Sequence, residues 1–282
     1  GNATNGTGNV LLGTITDTGG AGITVISREG SILENASNSS QLTSAGTITL
    51  TAGAGAGDAV GTLANAINAT GATLTASAGT GGIYLDEANA ATLGTVTVTG
   101  ASGDVLIQNV AAGDLTSTGV ISTQGGNITV KSVSSLSIGA NVTVSAGTGT
   151  VALTSDSNAD NTGSFAQTAG TISTNNGAIA ITNKGTDTLK LGLVTDTGGA
   201  GITITNEKGS ILENAANSSL LTSTGTISLQ AGSVTAGATG VGTSTDAINT
   251  NGGTLTASAG SGGIYLDESN GATLGAITVS GS

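Results

Sequence analysis

The chain repeats itself over a long span. Asp17-Thr-Gly-Gly-Ala-Gly-Ile23 returns as Asp196-Thr-Gly-Gly-Ala-Gly-Ile202, and Gly30-Ser-Ile-Leu-Glu-Asn-Ala36 returns, after the same interval, as Gly209-Ser-Ile-Leu-Glu-Asn-Ala215. Gly81-Gly-Ile-Tyr-Leu-Asp-Glu87 returns as Gly262-Gly-Ile-Tyr-Leu-Asp-Glu268 after a slightly longer one. The stretch from Ala231 to Ile248 is two residues longer than that from Ala52 to Ile67, which accounts for the change. A long in-register duplication directs the reading to repeat architectures before compact enzymes. The 282 residues divide into a full copy at 11–190 and a partial second copy at 191–282.

Inside the long period lies apolar alternation: Gly22-Ile-Thr-Val-Ile26, Gly46-Thr-Ile-Thr-Leu50, Thr95-Val-Thr-Val98, Asn141-Val-Thr-Val144. Period two with β-branched residues marks half-buried strands, and Gln124-Gly-Gly-Asn127 and Asn175-Asn-Gly177 read as turns between them. Gly126-Asn-Ile-Thr-Val-Lys131, Gly149-Thr-Val-Ala-Leu-Thr154 and Gly177-Ala-Ile-Ala-Ile-Thr182 follow one another at intervals of twenty-odd positions. That is the length of one coil of a parallel β-solenoid, in which each coil buries its inward Ile, Leu, Val and Ala on the coils above and below. The expectation is an all-β, single continuous parallel β-solenoid over 1–282. It should hold about 20–28 residues per coil and about 12 or 13 coils, so at about 4.8 Å per coil it makes a rod of about 60 Å. One long repeat then spans about eight coils and about 38 Å.

Proline is absent from the whole chain. About 14 would stand in an average sequence of this length, and a solenoid interior excludes proline because nearly every strand N–H donates to the next coil. A string of immunoglobulin-like sandwiches is the rival; it predicts similarity near a period of about 90, core aromatics and loop prolines. Residues 101–190 do not resemble 11–100 in that way, and the aromatics number three: Phe165, Tyr84 and Tyr265. The segments Ala54 to Leu63 and Asp156 to Thr168 read as loops bulging from a coil, and Ser31 to Ala36 and Asp58 to Asn68 as sites of a helical turn. Ile23, Ile48, Leu85 and Val98 are expected in the core.

The runs Gly119-Val-Ile-Ser-Thr-Gln-Gly-Gly-Asn-Ile-Thr-Val130 and Ala247-Ile-Asn-Thr-Asn-Gly-Gly-Thr-Leu-Thr-Ala257, with Gly82-Ile-Tyr-Leu-Asp-Glu87 and Ala91-Thr-Leu-Gly-Thr-Val96, resemble repeats of filamentous haemagglutinin-like bacterial surface exoproteins. The resemblance covers almost the whole chain and is one of repeat style. It implies a right-handed parallel β-helix at the cell surface or outside the cell. The start Gly1-Asn-Ala-Thr and the stop at Gly281-Ser282 fall within repeat-like sequence, as in a mature portion or excised piece of something longer.

The net charge is −12, with Arg28, Lys131, Lys184, Lys190 and Lys208 the only cations. Such a surface repels phosphate backbones and anionic membranes, so no nucleic-acid partner is expected. No stretch approaches the roughly 20 apolar residues of a membrane span. Without Cys or His the chain has no disulfide, no thiol nucleophile and no imidazole base. Asp86-Glu87 and Asp267-Glu268 pair carboxylates in sequence, but neighbours on a strand point to opposite faces. A glycosidase also needs a substrate platform that three aromatics do not supply. Carbohydrate-active chemistry is therefore the weakest reading, and no catalytic residue, and no organic cofactor, is assigned.

Calcium is the one cation considered. Asp17 with Glu34, or Asp196 with Glu213, would meet on neighbouring coils and complete a shell of oxygens with backbone carbonyls. The leading functional expectation is a structural segment of a long extracellular bacterial filament or adhesin stalk, continued in a longer chain or stacked end to end. An adhesin that contacts a host or neighbouring cell through its flank is the alternative, with Tyr84 and Tyr265 its aromatic candidates.

Overall fold

The computed structural model describes residues 8–37, 39–234 and 237–280; the first four residues and Gly281-Ser282 noted above lie outside them. Every named element is a strand, every strand pairing is parallel, and all belong to one continuous sheet. The chain is a parallel β-solenoid of about 12 coils.

Strands alternate inward and outward, as in Val105–Asn109 and Val151–Ser155 with every second residue buried. Parallel stacking then puts like side chains over one another. Val10, Ile32, Val60, Ile83, Val105, Ile128, Val151, Ile179, Ile202, Ile227, Leu255 and Leu274 are successive register partners in a single column along the rod. The coils between them are unequal, long from Ile32 to Val60 and shortest from Leu255 to Leu274. Ile32 through Ile227 in this column are at most 1 % exposed. The expected core positions Ile23, Ile48, Leu85 and Val98 are all buried.

Three faces surround this core. In the first three coils they are carried by Val10–Leu12, Ile32–Glu34 and Ala59–Val60 on the first face; by Thr14–Asp17 and residues 41–44 and 69–71 on the second; and by Ile23–Ile26 and residues 47–51 and 73–77 on the third. In the fourth coil the division changes. Residues 82–83 of the Gly82–Glu87 strand pair with Ala59–Val60, while residues 85–87 pair with 67–69, so one strand takes over two faces. Ala91–Val98 continues the third face and then splits, its residues 91–93 carrying Leu115–Ser117 and its residues 96–97 carrying Ile121–Thr123. The corner has moved at the cost of one slip of register, between Leu74 and Ala76.

Two local expectations change. Ser31 to Ala36 and Asp58 to Asn68 hold no helical turn: Ile32–Glu34 and Ala59–Val60 are strands, because Ile32 and Val60 belong to the inner column. Neither expected loop runs its full length: Ala54 to Leu63 is interrupted by the strand Ala59–Val60, and Asp156 to Thr168 is a loop only up to residue 164. Phe165–Gln167 is a strand, and Phe165 lies fully buried in register with Leu136.

Close packing of coils dictates the glycines at one corner. Gly126 and Gly177 follow turns and precede inner strands; a Cβ at Gly177 would run into the carbonyl of Gly149, and one at Gly126 into that of Gly103. Buried polar residues also stack. The Ser155 hydroxyl donates to Asn183 Oδ1 at 2.8 Å, and Asn183 Nδ2 donates to Asn206 Oδ1 at 3.1 Å, so the interior ladder satisfies its own amides.

Candidate functional surface

The repeated acidic motifs close corners. After Thr14–Asp17 the chain must turn, and Gly22 does so at φ 100°, where a Cβ would lie 2.5 Å from the Thr47 carbonyl oxygen. Asp17 Oδ1 accepts the Gly19 N–H at 3.0 Å, and Oδ2 accepts the Gly22 N–H at 2.7 Å and the Ser44 hydroxyl at 2.8 Å. The Gly22 N–H first and the Ser44 hydroxyl second hold the Asp17 carboxyl below the usual range. Asp196 repeats the arrangement with Gly198 at 3.1 Å, Gly201 at 2.7 Å and Ser223 at 2.9 Å.

The glutamates at the ends of Ile32–Glu34 and Ile211–Glu213 also draw donors onto themselves, although Glu34 Oε2 is buried without one. Glu34 Oε1 accepts the Ser40 N–H at 3.2 Å, the Ser40 hydroxyl at 2.5 Å and Asn68 Nδ2 at 3.0 Å. Glu213 accepts from Ser219 through both its N–H and its hydroxyl, from Asn249 Nδ2 at 2.9 Å and from the Ser218 N–H at 3.0 Å.

The pairing expected for calcium is not formed. Asp17 registers with Ser44 and Glu34 with Leu12, and in the second copy Asp196 registers with Ser223 and Glu213 with Leu191. The four carboxylates act separately, each drawing a turn or a neighbouring coil onto itself. Among the described residues no three acidic side chains cluster in a metal-ligating group.

Asp86 and Glu87 part as the strand period requires. Asp86 faces outward and accepts Gln108 Nε2 at 3.0 Å, whereas Glu87 is completely buried.

A third acidic element escaped the reading of the sequence. Asp156, Asn158 and Asp160 stand at alternate positions before Asn161 (φ 71°), a spacing like the first half of a helical calcium loop. Here it closes on itself. Asp156 accepts the N–H of Asp160 at 3.1 Å and of Asn161 at 3.0 Å, and Asn158 Nδ2 donates to Asp160 Oδ2 at 2.7 Å. Burial first, and then the adjoining Asp160, push the Asp156 carboxyl up. Gln167 stands at the twelfth place, where such a loop needs a bidentate Glu; its side chain is buried and committed to Gly170, Leu193 and Gly192.

The flanks are mostly Thr, Ser and Asn. One surface groove of about 490 Å³ is lined by Leu193, Leu220, Asn217, Asn249 and Asp267. Leu193 (45 % exposed) and Leu220 (37 % exposed) give it an apolar floor. Tyr84 and Tyr265 do not join in a patch. Tyr84 is on the fourth coil and Tyr265 near the last, some seven coils or about 34 Å apart.

The architecture defines the class: a three-faced parallel β-solenoid with a largely aliphatic interior and carboxylates at its corners that accept turn and neighbouring-coil donors. No protein-family model matches the chain, and no curated protein or solved structure matches it significantly.

Proposed function

We propose that this chain is a rod-forming structural segment of a long extracellular bacterial filament or adhesin stalk. The observation that carries this reading is the inner column from Val10 to Leu274, one unbroken run of parallel register through all coils. Such a stack resists bending and unzipping because every coil is bonded to two others through backbone ladders. The acidic, lysine-poor surface suits a stalk that must not adhere along its length. The rod would be extended by continuation in a longer chain or by end-to-end stacking of subunits.

Electron microscopy of the native material, with diffraction along its long axis, tests the proposal. A continuous filament with a meridional reflection near about 4.8 Å is the expected result. Discrete particles without that spacing would overturn it. The flank-binding alternative rests on the Leu193–Leu220 groove, and predicts that L193S with L220S abolishes attachment to cells while leaving filament length unchanged.

A further inference from the structure

Glu87 ends the Gly82–Glu87 strand, and its register partner one coil on is Asn109, the last residue of Val105–Asn109. Both side chains point inward, Glu87 at 0 % and Asn109 at 3 % exposure. Glu87 Oε1 accepts the N–H groups of Gly71 at 3.3 Å and Asn89 at 3.2 Å, but Oε2 has no donor. Asn109 Nδ2 donates to the carbonyls of Asn89 at 2.5 Å and Ala112 at 3.3 Å, while its Oδ1 also has no donor. The amide is fixed in that sense, because turning it round would set Oδ1 against two carbonyl oxygens. Two buried acceptors on stacked neighbours thus each lack a donor.

The second copy shows why. Glu268 repeats Glu87, and its Oε2 accepts the Thr250 hydroxyl at 2.8 Å. In the first copy the place of Thr250 is taken by Ala69, which has no hydroxyl to give.

We propose that Glu87 is the neutral carboxylic acid in the folded protein, its Oε2–H donating to Asn109 Oδ1, so that a proton joins the fourth and fifth coils. A metal ion is a poor occupant: a hard cation takes about six to eight oxygens, and here two buried oxygens without donors, Glu87 Oε2 and Asn109 Oδ1, are on offer.

The surroundings carry no opposing charge. The strands packed on Glu87 (Ala59–Val60, Ile67–Ala78, Ala91–Val98 and Val105–Asn109) contain no titratable side chain. On its own strand Tyr84 and Asp86 alternate outward, and beyond Asn109 the Asp114 carboxylate accepts the Ser135 N–H at 2.9 Å. Burial raises the Glu87 carboxyl to about 7, against the opposing N–H groups of Asn89, Gly71 and Ala88.

The sign follows from linkage. The folded chain keeps a proton that the unfolded chain gives up above about 4.5, so stability falls between that pH and about 7 and is level beyond. The span corresponds to about 300-fold in the unfolding equilibrium.

The test is carbon-13 NMR of the protein labelled at its six glutamate side chains, with E87Q for assignment. One Cδ resonance should titrate near neutrality and vanish in E87Q. In urea unfolding, the Gln amide donates to Asn109 at every pH, so E87Q should match the native chain at acid pH and exceed it at pH 8 (on the order of 100-fold or more in the equilibrium). If all six glutamates titrate in the ordinary carboxylate range, Glu87 is ionised and bridged by water, and the proposal fails. It fails too if the E87Q difference does not change with pH. The titration of the native chain decides the question even where E87Q does not fold.

Discussion

Ile128 offers the sharpest test of the stacked core. It lies in the column between Val105 and Val151 and is fully buried. Ile128→Ala removes three carbons, worth about 2.4 kcal/mol at about 0.8 kcal/mol each. The parallel ladder fixes the spacing of Val105 and Val151, so the coils cannot close over the gap and a cavity term adds to the transfer term. The expected loss is about 3–4 kcal/mol. Val110→Ala, an outward position at 52 % exposure, serves as the control and should lie within about 0.5 kcal/mol of the native chain. Urea unfolding followed by circular dichroism gives the totals. Amide exchange locates the damage, which nearest-neighbour stacking confines first to the coils of Val105, Ile128 and Val151. An Ile128→Ala cost no larger than that of Val110→Ala, or exchange rising evenly along the rod, would refute the stacked-column account.

Three further outcomes are expected from the same structure. Gly177→Ala should destabilise by about 1–3 kcal/mol in urea unfolding, since its Cβ meets the Gly149 carbonyl and forces two coils apart. Phe165→Leu should cost less than about 1.5 kcal/mol, because its register partner Leu136 already sets an aliphatic column, while Phe165→Ala should cost about 3–5 kcal/mol; thermal unfolding separates the two. Stability plotted against pH should peak near pH 4–5. Above it Glu87 loses its raised-pKa contribution on the way to about 7; below it Asp17 and Asp160, whose pKa values are lowered by N–H and hydroxyl donors, lose theirs as the pH falls through their folded values. A urea midpoint still rising from pH 5 to pH 8 would contradict this.

The fold was legible because three signals agree on it: alternation, turn residues at coil spacing and the absence of proline. Their agreement reflects one cause, the stacking of strands whose N–H groups are all in use. The misread pieces are short. Ile32–Glu34 and Ala59–Val60 offer two or three residues of pattern, too few to set period two against a helical turn. Phe165–Gln167 hides behind a polar loop for the same reason. The acidic sites fared worse, since which carboxylate meets which coil depends on register, and coils of unequal length leave that open in the sequence. Asp17 was read as a candidate calcium ligand with Glu34, whereas its partner across the coils is Ser44. The difference between Ala69 and Thr250 is visible on aligning the two copies, yet it acquires meaning only once Asn109 is known to lie over Glu87.

The repeat length bears on how such a rod would be used. Leu189–Leu191 opens the second copy as Val10–Leu12 opens the first, but it does not stand on the first face. Its column runs back through Phe165–Gln167, Leu136–Ile138 and Leu115–Ser117 to Ala91–Val98, and so to the third face of the first copy. The long repeat is therefore not a whole number of turns, and equivalent outward residues of the two copies leave the rod in different directions. Tyr84 and Tyr265 separate for this reason as well as by distance along the axis. A flank that bound a flat partner by many identical patches would need those patches on one side. A stalk has no such requirement: its parallel stacking continues whichever way the copies face, and the shift of corners at Gly82–Glu87 and Ala91–Val98 keeps the strands paired on both sides, with one slip of register between Leu74 and Ala76, while rotating the surface. The duplicated chain keeps its interior register and lets its exterior turn, which favours the mechanical reading over the adhesive one.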